Sequence, residues 1–343
     1  MAKTVVFTAP RQVGIIDMPD PPVGPGQVLI KTLYSGISHG TEMAIYRGIA
    51  PFYDKRFDRA TRLFLADGAS DWHYPTPTGY ENVGEVIQLG EGVTDLQVGN
   101  RVFTYSGHQT HVVVDAREAH RLPQDMPPEH GLFIALAGVA YNAILDARIL
   151  LGETVVIYGL GVIGQLLVQL SRWSGAAQVI GVDLVEKRLA HARRLGADIA
   201  INPSSTPDVA LQVRQMTDNG GADVVIDCTG SATALNQAIR TVGFQGTVVV
   251  VSFLAGEARG LYLGDEFHHN RLRLVSSQAA GVNPELHPRW TGERKFRAAL
   301  NLLPRLDLDG LITQRLPFEQ AARGYEMVDR HPEDVIQVIL TYP

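Results

Sequence analysis

The segment TVVIYGLGVIGQLLVQL, at residues 154–170, restricts the possible folds of this chain more than any other stretch. It has the pattern of a buried strand, a glycine-rich turn and a helix. Gly159 permits a tight turn, Gly161 lets the backbone approach a pyrophosphate, and Gly164 allows the helix to pack closely on the strand. The helix N-terminus then points free N–H groups and a positive dipole end at phosphate. The segment therefore predicts a nucleotide site on a parallel sheet.

The next predicted strand favours a dinucleotide as the ligand. QVIGVD ends at Asp183, 24 residues after Gly159 (183 − 159). A carboxylate at this point accepts hydrogen bonds from the adenosine ribose and repels a 2′-phosphate, which favours NAD over NADP. Lys187 and Arg188 lie close by, and they either soften that preference or form a solvated helix face. The predicted cofactor-binding residues are Gly159, Gly161, Val162, Ile163, Gly164, Asp183 and Arg188.

Composition narrows the class of protein. A chain of 343 residues that is 45% apolar can build two domains with hydrophobic cores. The net charge of -6, with Lys and Arg spread along the chain, argues against a nucleic-acid or membrane partner. The first residues lack the features of a cleaved leader and no run of about 18 apolar residues occurs, so we expect a cytoplasmic location. One cysteine, Cys228, excludes an internal disulfide and an all-cysteine zinc site.

The pattern of predicted elements changes along the chain. Up to about residue 135, short alternating strands broken by Pro and Gly indicate an antiparallel, β-rich domain. From about 150 to 276, buried-type strands separated by helical segments are typical of a doubly wound parallel sheet. The predicted fold class is therefore α/β, with a β-rich domain in addition to the parallel sheet.

The stretch SGISHGTEMAIYRG, at residues 35–48, has the arrangement of a loop that presents side chains to a site. It follows a run that alternates like a strand. Ser38, His39 and Glu42 on one loop suggest either a cluster of metal ligands or an acid/base site. The residue types alone leave both possibilities open.

Several stretches, spread over nearly the whole chain, are informative as a set. They are GPGQVLIKTLYSGIS, TPTGYENVGEVIQLGEGV, VGNRVF, YGLGVIG, RRLGAD, GGADVVIDCTGS and ITQRLPFEQAARGYEMV. Together they resemble the medium-chain dehydrogenase/reductase superfamily, which includes zinc alcohol, sorbitol and threonine dehydrogenases and zinc-free quinone reductases. The resemblance implies a GroES-like catalytic domain formed by residues 1–138 and 283–343, and a Rossmann domain at residues 139–282 that binds NAD.

The positions of the zinc ligands differ from the family pattern. Zinc members have a cysteine ligand where this chain has Ser38, and a histidine ligand where it has Tyr80, followed here by Glu81. The third ligand falls near Ala135, and no Cys, His, Glu or Asp occurs from residue 131 to 144. The family's four-cysteine lobe is missing as well. Since a serine hydroxyl and a phenol are poor zinc ligands, the resemblance implies that both zinc sites are lost.

Without a metal, hydride transfer needs a hydrogen-bond donor or an acid near the substrate oxygen. The candidates for this catalytic role are Tyr80, His39, Ser38 and Glu81. Imidazole exchanges protons near neutral pH, which favours His39 for acid/base work. Each main candidate has an alternative: Tyr80 could pack as a pocket wall, His39 could contact the cofactor phosphates, and Glu81 could be structural.

The loop carries two further candidates. Thr41 and Glu42 are predicted to contact the substrate, with Glu42 binding substrate hydroxyl groups. Glu42 or Glu81 could instead join His39 in a rearranged metal site, because two or three donors and water suffice for a catalytic zinc.

The segment between Gly48 and Pro77 is longer than the family's usual link. Its Arg56, Arg59 and Arg62 have near-helical spacing. We interpret the 52–76 insertion as a lid over a hydroxylated or acidic substrate, and the alternative is a solvated helix at an oligomer contact.

These features predict a zinc-independent, NAD-dependent oxidoreductase that transfers hydride between nicotinamide and a secondary alcohol or ketone. The expected small-molecule substrate is a sugar or cyclitol derivative. Two alternatives stay open: a redox-neutral epimerase with retained NAD, and a non-catalytic NAD(H)-binding protein. We also predict a homodimer or homotetramer.

Overall fold

The computed structural model describes residues 1–68, 70–217 and 220–343. Its strands are β1 (Ala2–Ala9), β2 (Gln12–Met18), β3 (Gln27–Ile37), β4 (Arg56–Asp58), β5 (Leu63–Leu65), β6 (Thr76–Pro77), β7 (Asn82–Leu89), β8 (Arg101–Thr104), β9 (His111–Asp115), β10 (His120–Arg121), β11 (Thr154–Tyr158), β12 (Gln178–Val182), β13 (Ile199–Ile201), β14 (Ala222–Asp227), β15 (Val242–Val250), β16 (Arg273–Ser276), β17 (Ile312–Pro317) and β18 (Gln337–Thr341). Its α-helices are α1 (Thr41–Tyr46), α2 (Phe133–Ala147), α3 (Val162–Trp173), α4 (Glu186–Arg194), α5 (Val209–Met216), α6 (Ala232–Thr241), α7 (Gly292–Leu302) and α8 (Ala321–Arg330).

The described residues form two compact units. The first contains Met1–Ala135 and Leu308–Pro343, and the second contains Leu136–Asp307. The chain therefore returns from the second unit to the first near residue 308, and not at residue 283 as predicted. Helix α7 accounts for the difference, because its Lys295 donates a hydrogen bond to Asn142 of α2 at 3.0 Å within the second unit.

The second unit contains a six-stranded sheet in the order β13-β12-β11-β14-β15-β16. All five neighbouring pairs are parallel, so the predicted doubly wound sheet is confirmed. Val156, Ile180, Val225 and Val248, one on each central strand, are fully buried in its core. The strand order reverses between β11 and β14, the point at which nucleotides bind in sheets of this type.

The first unit is β-rich and largely antiparallel, as predicted. Its largest sheet runs β10-β8-β7-β3-β18-β17, with β9 also paired to β3. A smaller sheet has the order β2-β1-β6, and β4 pairs with β5. Buried Val28, Ile30, Val86 and Val102 pack between β3, β7 and β8. Because β3 pairs with β7, β9 and β18, the residues that follow β3 are held by three neighbouring strands.

The inserted segment forms a hairpin, so the alternative of a solvated helix is wrong for its described part. Arg56 lies on β4, which pairs antiparallel with β5. Arg62 lies in the turn with a φ of 58°, a value that a regular helix does not allow. The rings of Phe52 and Trp72 stack at 5.9 Å, and those of Phe57 and Phe64 approach to 5.0 Å. These aromatic contacts stabilise the hairpin, and its role as a lid stays a prediction.

Helix α2 and the short turn before it, Pro128–Ala147, are long and apolar enough to cross a membrane by length and composition. In the fold, 67% of the most apolar stretch is buried. This burial is typical of a core helix of a globular domain.

Candidate active site

The glycine turn has the geometry of a phosphate cradle. Gly159 follows β11 with a φ of 86° and donates its N–H to the carbonyl of Val182 at 2.9 Å. Helix α3 begins directly after Gly161. A side chain at Gly164 would overlap the carbonyl oxygen of Gly159, whereas a side chain at Gly161 would meet no described atom within 4 Å. The turn therefore leaves open space at the N-terminus of α3, which suits a pyrophosphate.

Asp183 follows β12, beside the glycine turn. Its Oδ2 accepts a hydrogen bond from the N–H of Leu160 at 2.6 Å, and its Oδ1 accepts one from the N–H of Val185 at 2.9 Å. Each carboxylate oxygen keeps lone-pair capacity for a ribose hydroxyl. Arg188 Nη1 lies 3.7 Å from Asp183 Oδ2, and its side chain is 15% exposed. The prediction that Arg188 belongs to a solvated helix face is therefore wrong. Lys187 is exposed and fits that prediction.

The hydroxyl groups of Ser38 and Tyr80, two of the predicted catalytic residues, are in contact in the first unit. Strands β3 and β7 pair antiparallel with Ser35 opposite Asn82, so residues after β3 and before β7 lie at the same end of the pair. Ser38 Oγ and Tyr80 Oη are 2.5 Å apart. Burial raises the pKa of the Tyr80 phenol far above its ordinary value. The phenol therefore stays protonated and acts as a hydrogen-bond donor at neutral pH.

The loop between β3 and α1 is shorter than the sequence indicates, because β3 extends to Ile37 and α1 begins at Thr41. His39 lies in this loop and is half-buried. Thr41 is the exposed first residue of α1. His39 therefore directly follows Ser38 in the chain, and Thr41 lies at the surface.

Glu42 lies inside the first unit, with 2% of its surface exposed. Its Oε1 accepts from the N–H of Ser38 at 2.9 Å. Its Oε2 accepts from Thr78 Oγ1 at 2.9 Å, from His108 Nε2 at 3.1 Å and from the Tyr325 hydroxyl. The carboxylate is almost closed to solvent and is bound by four donors of its own unit, so the expectation that Glu42 binds substrate hydroxyls is corrected: Glu42 positions the loop.

The charge state of Glu42 follows from the same contacts. Burial alone would raise the pKa of its carboxyl, but His108 and the hydrogen bonds from Tyr325 and Ser38 outweigh burial and hold the pKa below its ordinary value. His108 continues the network, since its Nδ1 lies 2.6 Å from Ser35 Oγ. Glu42 is therefore an ionised group that ties α1 to β3 and α8.

Glu81 is also buried but has no comparable partners. It is 0% exposed, and neither carboxyl oxygen has a hydrogen-bond partner among the described residues. A side chain at Gly36 would overlap Glu81 Oε2, so the glycine makes room for the carboxyl group. Burial raises the pKa of Glu81 well above its ordinary value, and the charge of Glu42 adds to the effect. Burial therefore favours the neutral, protonated form of Glu81.

We expect Glu81→Gln to increase the free energy of unfolding at neutral pH and Glu42→Gln to decrease it. Folded protein keeps the Glu81 proton above about pH 4.5, whereas the unfolded chain releases it. Wild-type stability therefore falls as pH rises towards the folded pKa of Glu81, by at most about 1.4 kcal/mol per pH unit. Urea unfolding between about pH 5 and about pH 8 measures this slope. A stability difference between wild type and Glu81→Gln that does not change with pH would contradict a protonated Glu81.

Sequence reasoning missed most partners of Glu42, and their separation explains why. His108 lies 66 positions from Glu42 in the chain, and Tyr325 lies 283 positions away. Tyr325 occurs at a helical spacing that predicts an ordinary core residue, and its ring packs on Phe7 with centroids 4.9 Å apart. The one available signal was polar His108 in a short link between strands.

Among the residues that the structure describes, one group of three His, Cys, Asp or Glu side chains has its ligand atoms close enough together to share a metal ion. It consists of exposed His331, Glu333 and Asp334, after α8. This group lies outside the loop that carries Ser38 and His39.

Comparisons with known proteins agree with this architecture. Residues 24–124 match the alcohol dehydrogenase GroES-like domain, and residues 162–291 match the zinc-binding dehydrogenase family. The D-guloside 3-dehydrogenase of Escherichia coli K12 is 33% identical over 356 aligned residues, which cover 99% of this chain and 100% of that protein.

Two solved structures share the fold and carry a cofactor. An alcohol dehydrogenase from Escherichia coli CFT073 in complex with NADH has a TM-score of 0.78 at 22% identity. A protein of the zinc-binding dehydrogenase type from Sinorhizobium meliloti 1021, bound to NADP, has a TM-score of 0.78 at 23% identity. Each comparison covers 99% of this chain and 99% of the other.

A GroES-like domain joined to a Rossmann domain defines an oxidoreductase of the alcohol dehydrogenase type. The chain belongs to the medium-chain dehydrogenase/reductase superfamily. The family indicated by the sequence motifs is thereby confirmed.

Proposed function

We propose that this protein is a zinc-independent, NAD-dependent dehydrogenase that transfers hydride between nicotinamide and a secondary alcohol or ketone of a sugar derivative. The hydroxyl pair of Ser38 and Tyr80, 2.5 Å apart, is the observation that carries the proposal. A pair of neutral hydroxyl groups can donate a hydrogen bond that stabilises charge on a substrate oxygen, which a metal does in zinc dehydrogenases by polarising that oxygen.

The residues of the second unit fit a dinucleotide. The open backbone at Gly161 would hold the pyrophosphate, and the Asp183 carboxylate would accept the ribose hydroxyls. When bound, the nicotinamide donates or accepts the hydride. The position of Asp183 supports NAD over NADP, because a carboxylate repels a 2′-phosphate.

The residues at the former ligand positions do not fit zinc. Serine hydroxyl and protonated phenol are poor ligands for this ion, which prefers thiolate, imidazole and carboxylate. Burial raises the pKa of Tyr80, which disfavours the phenolate that a metal would need. Burial favours the protonated form of Glu81, which is equally unsuited to bind a cation. We therefore assign no reaction step to a metal.

The proposed chemistry uses groups of the first unit. In the direction of reduction, Tyr80 donates its phenolic hydrogen bond to the substrate oxygen while Ser38 Oγ orients the phenol. In the direction of oxidation, the substrate hydroxyl loses its proton to a base, and His39 is the candidate to receive it because the Tyr80 phenol is already protonated. In the direction of reduction, the same imidazole returns a proton to the substrate oxygen. Glu42 keeps the loop in place through its bond to the N–H of Ser38.

The substrate class comes from the relative. The D-guloside 3-dehydrogenase aligns with this chain from end to end, and its name describes oxidation of a ring hydroxyl. We propose a secondary hydroxyl of a glycoside or a related sugar as the substrate. The homodimer or homotetramer and the cytoplasmic location stay predictions from sequence.

Incubation with NAD and a panel of glycosides, including a D-guloside, tests the proposal. We expect NADH to form with at least one of them, and a matched deoxy sugar without the reacting hydroxyl to give none. Isomerised sugar without net NADH would favour an epimerase with retained cofactor. Cofactor binding without conversion of any sugar in the panel would favour a non-catalytic protein.

A further inference from the structure

Lys295, on α7, is the single buried lysine among the residues that the structure describes, with 8% of its surface exposed. Its Nζ donates to Asn142 Oδ1 at 3.0 Å, to the carbonyl of Gly281 at 2.8 Å and to the carbonyl of Ala279. All three ammonium donors are therefore occupied, two of them by backbone of one short segment.

Asn142 provides a second tether to the same segment. Its Nδ2 donates to Ser277 Oγ at 3.0 Å and to Asp146 Oδ2 at 2.9 Å. The N–H of Ser277 donates to the carbonyl of Val250 at 2.8 Å, which continues the pairing of β15 and β16. Residues 277–281 are thus fixed from α2, α7 and β15 at once.

The anchored segment lies at the ligand-binding edge of the sheet. It follows β16, and the carboxyl ends of parallel strands meet at one edge. Asp183 follows β12 on one side of β11, whereas β14, β15 and β16 succeed one another on the other side. A dinucleotide with its adenosine at Asp183 and its pyrophosphate at α3 directs its other half towards β14, β15 and β16.

Burying the ammonium group of Lys295 costs free energy, because the charge loses its hydration. An apolar side chain of similar length would pack in this position without the desolvation cost of a charge. What the ammonium adds is a fixed arrangement of the carbonyls of Ala279 and Gly281, because these are the backbone groups it binds.

We propose that Lys295 is a positioning residue that holds residues 277–281 as a wall of the site for the nicotinamide half of the cofactor. This inference rests on the proposed binding of NAD. It assigns Lys295 no contact with substrate or with the reacting atoms.

Lys295→Met tests the proposal by comparing two ligands. We expect the variant to bind NADH about tenfold more weakly than wild type, because three hydrogen bonds to a charged group are lost. Its affinity for ADP-ribose, which lacks the nicotinamide ring, should stay unchanged. Amide hydrogen exchange should rise in residues 277–283 and not at the glycine turn. Arg297→Met, an exposed change on the same helix, is the matched control and should alter neither ligand.

The outcomes separate this inference from the proposed function. Equal weakening of NADH and ADP-ribose, or no change in either, would overturn the role of Lys295. Wild-type protein that binds neither ligand would overturn the proposed NAD site itself. If Lys295→Met does not fold, Ser277→Ala removes one tether from the same segment, and unchanged NADH binding in that variant overturns the inference.

Discussion

Tyr80→Phe lowers turnover by about a hundredfold, with cofactor affinity little changed, if the phenol stabilises the substrate oxygen as a hydrogen-bond donor where zinc dehydrogenases use a metal. The substitution removes one oxygen and keeps the ring, so packing of the half-buried side chain is preserved. Loss of a positioned acid or base costs on the order of 10² to 10⁴ in rate, whereas loss of a packing or phosphate contact mainly raises the Michaelis constant. Steady-state kinetics with the identified substrate, together with NADH titration, measure both effects.

Three further variants define the proton path. Ser38→Ala removes the partner of the Tyr80 phenol and should give a smaller loss of turnover than Tyr80→Phe. His39→Ala should also lower turnover if imidazole takes part in proton transfer. Tyr105→Phe, at a tyrosine that is 56% exposed, is the matched control and should be neutral. Near-native turnover in both the Tyr80 and His39 variants would show that the proton comes from another group.

Asp183→Ser shifts cofactor choice from NAD towards NADP. The change removes the carboxylate that would bind the ribose hydroxyls, and each tenfold loss of NAD affinity corresponds to about 1.4 kcal/mol. It also frees Arg188, which lies 3.7 Å from Asp183, to pair with a 2′-phosphate. Titration with NADH and NADPH measures the switch as a ratio of two dissociation constants.

The double variant Asp183→Ser with Arg188→Gln separates the two contributions. It should lose NAD affinity to a similar extent without gaining NADP affinity, because the cation that would meet the 2′-phosphate is gone. A wild-type protein that already prefers NADP would contradict the assignment of Asp183.

The parallel sheet and its glycine turn could be predicted from sequence because the signals are local. Each strand is a short apolar run, and the spacing from Gly159 to Asp183 places both groups beside β11. Ser38 and Tyr80 could each be proposed as candidates because they occupy motif positions of the family. Their hydrogen bond and the state of Glu81 depend on burial, which a linear pattern does not show.

Other features depend on contacts between distant parts of the chain. The spacing of Arg56 and Arg62 predicts a helix, but pairing of β4 with β5 and the aromatic contacts of Phe52 produce a hairpin. Glu42 looked available to a substrate because its partners were unknown. Pairing of β3 with β9 and packing of α8 bring His108 and Tyr325 to it, and these contacts convert a candidate binding group into a positioning one.

Turnover of metal-depleted protein tests the central claim most directly. NADH formation from the identified sugar is followed before and after treatment with a strong chelator, and zinc is measured by elemental analysis in the same samples. The proposal predicts equal rates, with well below one zinc per chain in both samples. Activity that disappears on chelation and returns with one equivalent of zinc would contradict zinc-independent catalysis by Ser38 and Tyr80.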